Sequence, residues 1–358
     1  MAFFGASQPS QSGSSSTTGD LKNDVEITSA PEDGVSEIQF SSAADYLAVS
    51  SWDRKVRVYE IAPTGQSQGK FFYEHDGPVL SCCWSKDGTK LASAGADRVV
   101  KLYDVQSSAQ TQVGQHDSPI RTVRFVDVGN ANGMLVTGSW DKTIRYWDVR
   151  QQQSVATVHL PERVYSMDVQ QQLLVIGLAE RHVCIINLSN PTAIYKSIQS
   201  PLKWQTRVVS CFPNATGFAI GSTEGRCAIQ YVEDKDTSLN FSFKCHRETP
   251  PNTRDVTNVF SVNAISFHPT YGTFSTAGSD GTFHFWDKDA KHRLKGYPSV
   301  GGTISATAFN RSGGIFAYAI SYDWSKGFHG NQPDVNPKLM LHAIREDEAK
   351  PRSIAKKR

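Results

Sequence analysis

The sequence predicts an all-β chain folded as a seven-bladed β-propeller. Three observations predict it. A short motif that ends in an acidic residue recurs along the chain, and its first three copies end at Asp53, Asp97 and Asp141, spaced by 44 residues. Each copy is followed by a run of alternating apolar and polar residues, the period of a half-buried strand. The 358 residues, 39% of them hydrophobic and 20% charged, can fill one large core or two ordinary ones, and a continuous repeat selects one.

The blades can be justified in order. Copy one reads LAVSSWD at 47–53, then KVRVYE at 55–60. Copy two is LASAGAD at 91–97 with VVKLYD at 99–104, and copy three is LVTGSWD at 135–141 with TIRYWD at 143–148. These carry a WD40 signature. Copies four and five are degenerate, LVIGLAE at 174–180 and FAIGSTE at 218–224. Copy six restores the motif as FSTAGSD at 274–280 with TFHFWD at 282–287. Copy seven is FAYAISYD at 316–323.

The step from 224 to 280 is 56 residues, and its excess falls at 245–259, a polar segment expected to form a long exposed loop. Ring closure is expected from residues 24–28 as the outer strand of the last blade and 339–344 as an inner strand of it. The Gly-, Asn- and Pro-rich stretch 325–337 reads as an extended loop between them. The domain plan is therefore a disordered Ser/Gly-rich tail at 1–22, a propeller at 23–348 and a basic tail at 349–358.

Composition excludes collagenous, coiled-coil and disulfide-scaffold classes. The apolar runs fall short of the roughly 20 residues of a membrane span, so membrane insertion is not expected. The start of the chain lacks the basic and apolar regions of a signal peptide. Six scattered cysteines fit a reducing compartment, cytosol or nucleus, which makes the sequons at Asn214, Asn240 and Asn310 chance matches. Cys82 and Cys83 adjoin on one strand and point to opposite faces. With no CxxC pair, no GxxxxGK[ST] and no GxSxG, neither a metal nor another cofactor is expected.

The charge is uneven. Residues 281–358 hold 13 Lys and Arg against 7 Asp and Glu, so they carry +6 of a chain whose net charge is +2. The final KKR at 356–358 reads either as a nuclear-import signal or as a plain charged end.

Sets of His, Ser or Thr, and Asp suggest catalytic triads: His75, Ser93 and Asp97; His116, Thr137 and Asp141; His246, Thr276 and Asp280. An enzyme seldom needs one active site three times. The better reading is a structural hydrogen-bonded chain, because a buried carboxylate needs donors. Tyr103, Trp147 and Trp286 on the third strands are the expected ends of these chains, and no enzyme activity is expected.

Binding is expected on the face that carries the turns. The residue before each repeat acid lies there, and Trp52 and Trp140 occupy equivalent positions. A tryptophan at a turn tip either anchors a partner or packs on a neighbouring loop. Arg226 and Lys326, with Arg54 and Lys142, add cations, so an acidic peptide with apolar anchors would fit. Separately, Lys288, Lys291, Arg293 and Lys295 follow Trp286 and are expected to line the rim beside the seventh blade. They suit single-stranded nucleic acid, an acidic peptide, or simple solvation.

Several stretches carry a resemblance: SWDKTIRYWD at 139–148, EGR at 224–226, GSDG at 278–281 with FWDK at 285–288, EAKPR at 348–352 and, most specifically, AYAISYDWSKG at 317–327. Over about residues 25–352 the chain resembles the RNA-export propellers of the nuclear pore, the RAE/GLE group. The start MAFFG followed by a Ser/Gly tail is similar too.

The resemblance implies an adaptor that binds the GLEBS segment of an FG nucleoporin through Trp52, Trp140, Arg226 and Lys326. It implies a role in mRNA export at the nuclear envelope with shuttling to the cytoplasm, and in spindle assembly. It also implies contact of Lys288, Lys291 and Arg293 with single-stranded RNA or mRNP. The related checkpoint propellers of the BUB group bind GLEBS-like segments of kinases; Trp324 to Lys326 favours the export group. The WDxR form of Trp147 to Arg150 leaves docking on a ubiquitin-ligase adaptor, as a substrate receptor, as a third reading.

Overall fold

The computed structural model describes residues 17–128, 131–151, 153–251, 255–332 and 335–352. Among them, seven four-stranded antiparallel sheets follow one another. Blade 1 runs outward through Val35–Phe40, Tyr46–Ser51, Lys55–Ile61 and Ser67–Glu74. The inner strands of blades 2 to 7 are Val79–Trp84, Ile120–Val128, Val164–Gln170, Thr206–Cys211, Val262–Phe267 and Ile304–Phe309. Each inner strand touches the next, and the last returns to the first.

The outer strand of blade 7 comes from the other end of the chain. Val25–Glu26 pairs with Lys338–Ala343, with Val25 opposite Leu341. This is the closure the sequence leads one to expect, and it leaves the ring without an open seam. Alternation along each strand turns one apolar set to either side, so every blade packs on both neighbours. Seven buried clusters result, one for each blade boundary. The boundary between blades 6 and 7 is aromatic, built from Phe283, Phe285, Tyr297, Phe316 and Tyr318.

The turn between the second and third strands of each blade lies on one face, called upper here. One backbone bond recurs there in all seven blades, as in Trp52 N–H to Gly34 O, Trp140 N–H to Pro119 O and Ser321 N–H to Thr303 O. The repeat acid shapes these turns by accepting from the backbone two residues on: Asp53 from Lys55, Asp97 from Val99, Asp141 from Thr143 and Asp323 from Ser325. The residue after the acid then takes a positive φ, at Arg54, Arg98, Lys142 and Trp324.

The repeated polar sets are buried struts. In blade 3, His116 Nδ1 donates to Asp141 Oδ2 at 2.8 Å, and its Nε2 lies 2.7 Å from Thr137 Oγ1. Trp147 Nε1 donates to the same Thr137 oxygen at 2.8 Å. Blade 6 repeats this with His246, Asp280, Thr276 and Trp286. In blade 2, His75 bridges Asp97 at 2.7 Å and Ser93 at 2.8 Å. Here the expected end is corrected: Tyr73 of the preceding blade, not Tyr103, donates to Ser93. Tyr103 stacks on Tyr73, with centroids 5.1 Å apart. Burial opposes ionisation of Asp97, Asp141 and Asp280, but bonds from the three histidines hold these carboxyls below their usual range.

Two boundaries are also corrected. Residues 17–22 are not free tail: the backbone at Thr17 and Gly19 bonds to Gly296 on the outer strand of blade 6, and Leu21 packs into the core between blades 6 and 7. At the other end, the helix Glu346–Ala349 and Arg352 lie on blade 6, Arg352 donating to Leu294 O at 3.2 Å. The rest of the two expected tails, 1–16 and 353–358, falls outside the described residues. The insertion near 245–259 contains a small hairpin, Arg247–Glu248 paired with Asn258–Val259.

Candidate peptide-binding face

The upper face gathers large aromatics that the fold leaves in water. Trp52 and Trp140 are 37% and 40% exposed, on turns of blades 1 and 3. Trp52 lies over Gly34, where a methyl would meet it at 3.7 Å, and stacks on Trp324 of blade 7 with centroids 5.5 Å apart. Trp324 leans in turn on Tyr322. Trp52 thus packs on a neighbouring loop and still presents an open edge.

Two further aromatics escape the repeat arithmetic. Trp204, 63% exposed, sits in the connection from blade 4 into blade 5, beside Lys203. Phe328, 77% exposed, follows Lys326 in the long loop of blade 7. Neither occupies the turn position that the motif ranks. Their signal in sequence was only an aromatic inside a polar connection.

The cations fall into free and engaged groups. Among the described residues, no carboxylate lies within ion-pair distance of Arg226 or Lys326. Arg226 opens the third strand of blade 5 straight after Gly225, whose φ is +65°. A methyl on Gly225 would collide with the His246 carbonyl oxygen. Lys326 is held by its backbone N–H, which donates to the Tyr322 hydroxyl at 3.1 Å. Lys142, by contrast, pairs with Glu162 at 2.6 Å. Arg163 lies 5.8 Å over the Tyr165 ring, and Arg181 donates to Leu202 O.

The basic segment after Trp286 is not placed as expected. Lys288 is only 9% exposed, pairs with Asp289 at 2.7 Å and lies over the Phe212 ring. Lys291 lies 4.9 Å over the Phe241 ring. Both rings belong to blade 5, so these lysines face the fifth blade and not the seventh. Arg293 is on the outer strand His292–Gly296, opposite Trp286, and Lys295 reaches Asp347 at 3.4 Å. The stem of Lys288 fills a gap between blades, which explains its burial.

Ser93, Thr137 and Thr276 are fully buried under their histidines. A nucleophile there could not meet a substrate. Arg150 of the WDxR stretch pairs with Asp148 at 2.6 Å on the lower rim, away from the tryptophans. Among the described residues no group of three His, Cys, Asp or Glu could hold a metal, and no helix is long and apolar enough to cross a membrane.

The family profile described as "WD domain, G-beta repeat" matches residues 24–60, 66–104, 108–148 and 253–287. Across its length the chain is similar to the mRNA export factor GLE2 of Chaetomium thermophilum, at 63% identity over 96% of both chains. It is 57% identical to the Poly(A)+ RNA export protein of Schizosaccharomyces pombe, over 98% of this chain and 99% of that one. It is 44% identical to Protein Rae1 of Drosophila melanogaster, over 92% and 96%.

Proposed function

We propose, for a chain that belongs to the RAE/GLE family of WD40 propellers, that it is a non-enzymatic mRNA export factor working at the nuclear pore and shuttling to the cytoplasm. Its upper face binds the GLEBS segment of an FG nucleoporin. The observation that carries this reading is the presence on one face of exposed tryptophans together with cations that no carboxylate among the described residues answers. Trp52, Trp140 and Trp204 offer apolar anchoring, and Arg226 and Lys326 offer charge for an acidic segment. Families of this name supply the transport role; the face supplies the means of attachment.

Titration of the whole protein with a GLEBS peptide tests the reading. Replacing Trp52, Trp140 and Arg226 together by Ala is expected to cost at least about 2 kcal/mol of binding, as loss of interface anchors does. Unchanged affinity overturns the site. Competition against a checkpoint-kinase segment separates the export role from the checkpoint role, the nucleoporin peptide winning if this reading holds.

Single-stranded RNA is a second ligand in this reading, met by Lys291 and Arg293 on the flank between blades 5 and 6. The cation beside an aromatic at Lys291 and Phe241 supports it. Lys288 is too enclosed to contribute more than local positive potential.

A further inference from the structure

Every inner strand begins with a bulge. The register slips after the first ladder pair in all seven blades. A bulge re-aims the extra side chain, and bulges collect beside functional sites. Arg121 is the bulge residue of blade 3 and Arg207 that of blade 5. Ser36, Asn263 and Ser305 hold the same place in blades 1, 6 and 7. All five line a cavity of about 400 Å3 in the central channel.

One cation in that cavity is already answered. Arg124 donates from Nη2 to Glu37 Oε1 at 2.6 Å, and its Nε lies 3.6 Å from Asp168 Oδ1. Among the described residues, the side chains of Arg121 and Arg207 hydrogen-bond to backbone carbonyls, those of Leu80 and Asp323, each at 3.1 Å. The Asp323 carboxylate is engaged elsewhere, by Ser279, Asn263 and the Ser325 N–H.

These two arginines disfavour their own charge. Burial first, then repulsion from Arg207 and Arg124, pushes Arg121 down to about 10, although Glu37 opposes this. Desolvation likewise lowers Arg207, against the opposing pull of the Asp323 carboxylate. The fold does not require a cation at this position, since Ser36 and Ser305 serve in equivalent blades. Arg121 is half-buried and Arg207 exposed where the channel opens, so an anion entering the channel meets two guanidiniums that hold only backbone carbonyls among the described residues.

We propose that Arg121 and Arg207 form a binding site for a phosphate-class oxyanion in the mouth of the channel. Guanidinium presents forked donors that match phosphate oxygens. A dianion answers two cations where one carboxylate answers one. The cavity takes a phosphate alone or a phosphoryl group on a molecule of sugar size. The site lies at the upper end of the channel, where Arg207 touches the turn that carries Trp324 and Lys326, and its affinity for phosphate is read without any peptide present.

Isothermal titration of the full chain at constant ionic strength tests this, with inorganic phosphate and ribose 5-phosphate as the two probes. Saturable binding is expected, weakened at least about tenfold by Arg121→Gln or Arg207→Gln, as removing one charge-assisted hydrogen bond does. Arg311→Gln, on the lower rim, should bind like wild type. Tighter ribose 5-phosphate supports a phosphorylated small molecule, and tighter phosphate supports the free ion. Absence of saturable binding for both probes overturns the proposal, as does wild-type affinity in the double variant. Should Arg121→Gln fail to fold, Arg207→Gln and Arg121→Lys read the same site.

Discussion

His342 donates from Nδ1 to Asp24 Oδ1 at 2.6 Å, across 318 positions of sequence. The contact ties the strand that closes the ring to the segment that enters it. Asp24 also accepts from the Tyr318 hydroxyl at 2.7 Å, and His342 Nε2 lies 3.4 Å from Glu348 Oε2. A single charged imidazole therefore joins both ends of the described chain to the seventh blade.

This latch makes stability depend on pH. Burial disfavours the His342 charge, but Asp24 and Glu348 outweigh it and raise the group from 6.5 to about 9. A raised pKa contributes stability that is full below about 6.5 and is lost as pH rises through about 9. The size is roughly 3 kcal/mol at most. Glu348, held down to about 2 by His342 and Arg345 against burial, contributes in full above its ordinary 4.5 and loses that contribution as pH falls toward about 2. Melting of wild type against His342→Gln is expected to differ most between these limits and to converge above about pH 9. A gap that stays constant into alkali would sink the ion-pair account.

The buried struts predict a loss of stability without loss of binding. Thr137→Val leaves His116 Nε2 and Trp147 Nε1 without their shared oxygen. Orphaning two buried groups costs about 2–4 kcal/mol. Urea unfolding should show this loss, whereas the affinity of the folded variant for a GLEBS peptide stays at the wild-type value.

The Asp ladder and its histidines are legible in sequence because each blade repeats one local problem, a tight turn over a buried carboxylate. Contacts between blades are less legible. Tyr73 and Tyr103 are tyrosines of adjoining blades stacked on each other, and only the packing of blade 1 on blade 2 decides which hydroxyl reaches Ser93. The stack of Trp52 on Trp324 crosses the ring closure, so no local pattern marks it. Trp204 lies in a connection, where the repeat imposes no spacing, and Lys288 turns inward because blade 5 offers it an aromatic ring.

Exposure separates Trp204 from Trp52. Trp204→Ala should weaken the GLEBS peptide by about 1–2 kcal/mol with little change in melting, because an exposed ring holds up no core. Trp52→Ala also removes a stacked partner, worth about 0.5–1.5 kcal/mol, and should lower stability as well as affinity. Peptide titration and thermal melting on the two variants give both readouts.

Delivery of Arg226 depends on the residue before it. Gly225 combines φ of +65° with close carbonyl oxygens of His246 and Phe260, so a methyl there is excluded twice. Gly225→Ala must shift the turn and with it the start of the Arg226 strand. Peptide affinity should fall toward that of Arg226→Ala, at a stability cost of at least about 1 kcal/mol. If affinity stays intact while stability falls, Arg226 is no anchor.

The flank between blades 5 and 6 distinguishes a packed lysine from a binding one. Lys288→Glu replaces an ammonium enclosed over Phe212 with a carboxylate beside Asp289, so its main effect should be on melting. Lys291 and Arg293 are freer, and reversing both should weaken single-stranded RNA while leaving the fold in place. Because neutralising a phosphate releases counterions, the double variant should also flatten the salt dependence, by about 0.7 in log–log slope for each phosphate no longer bound. Filter binding across a salt series measures this. An unchanged slope would remove RNA from this flank and leave its cations the role of holding blade 6 against the aromatic edge of blade 5.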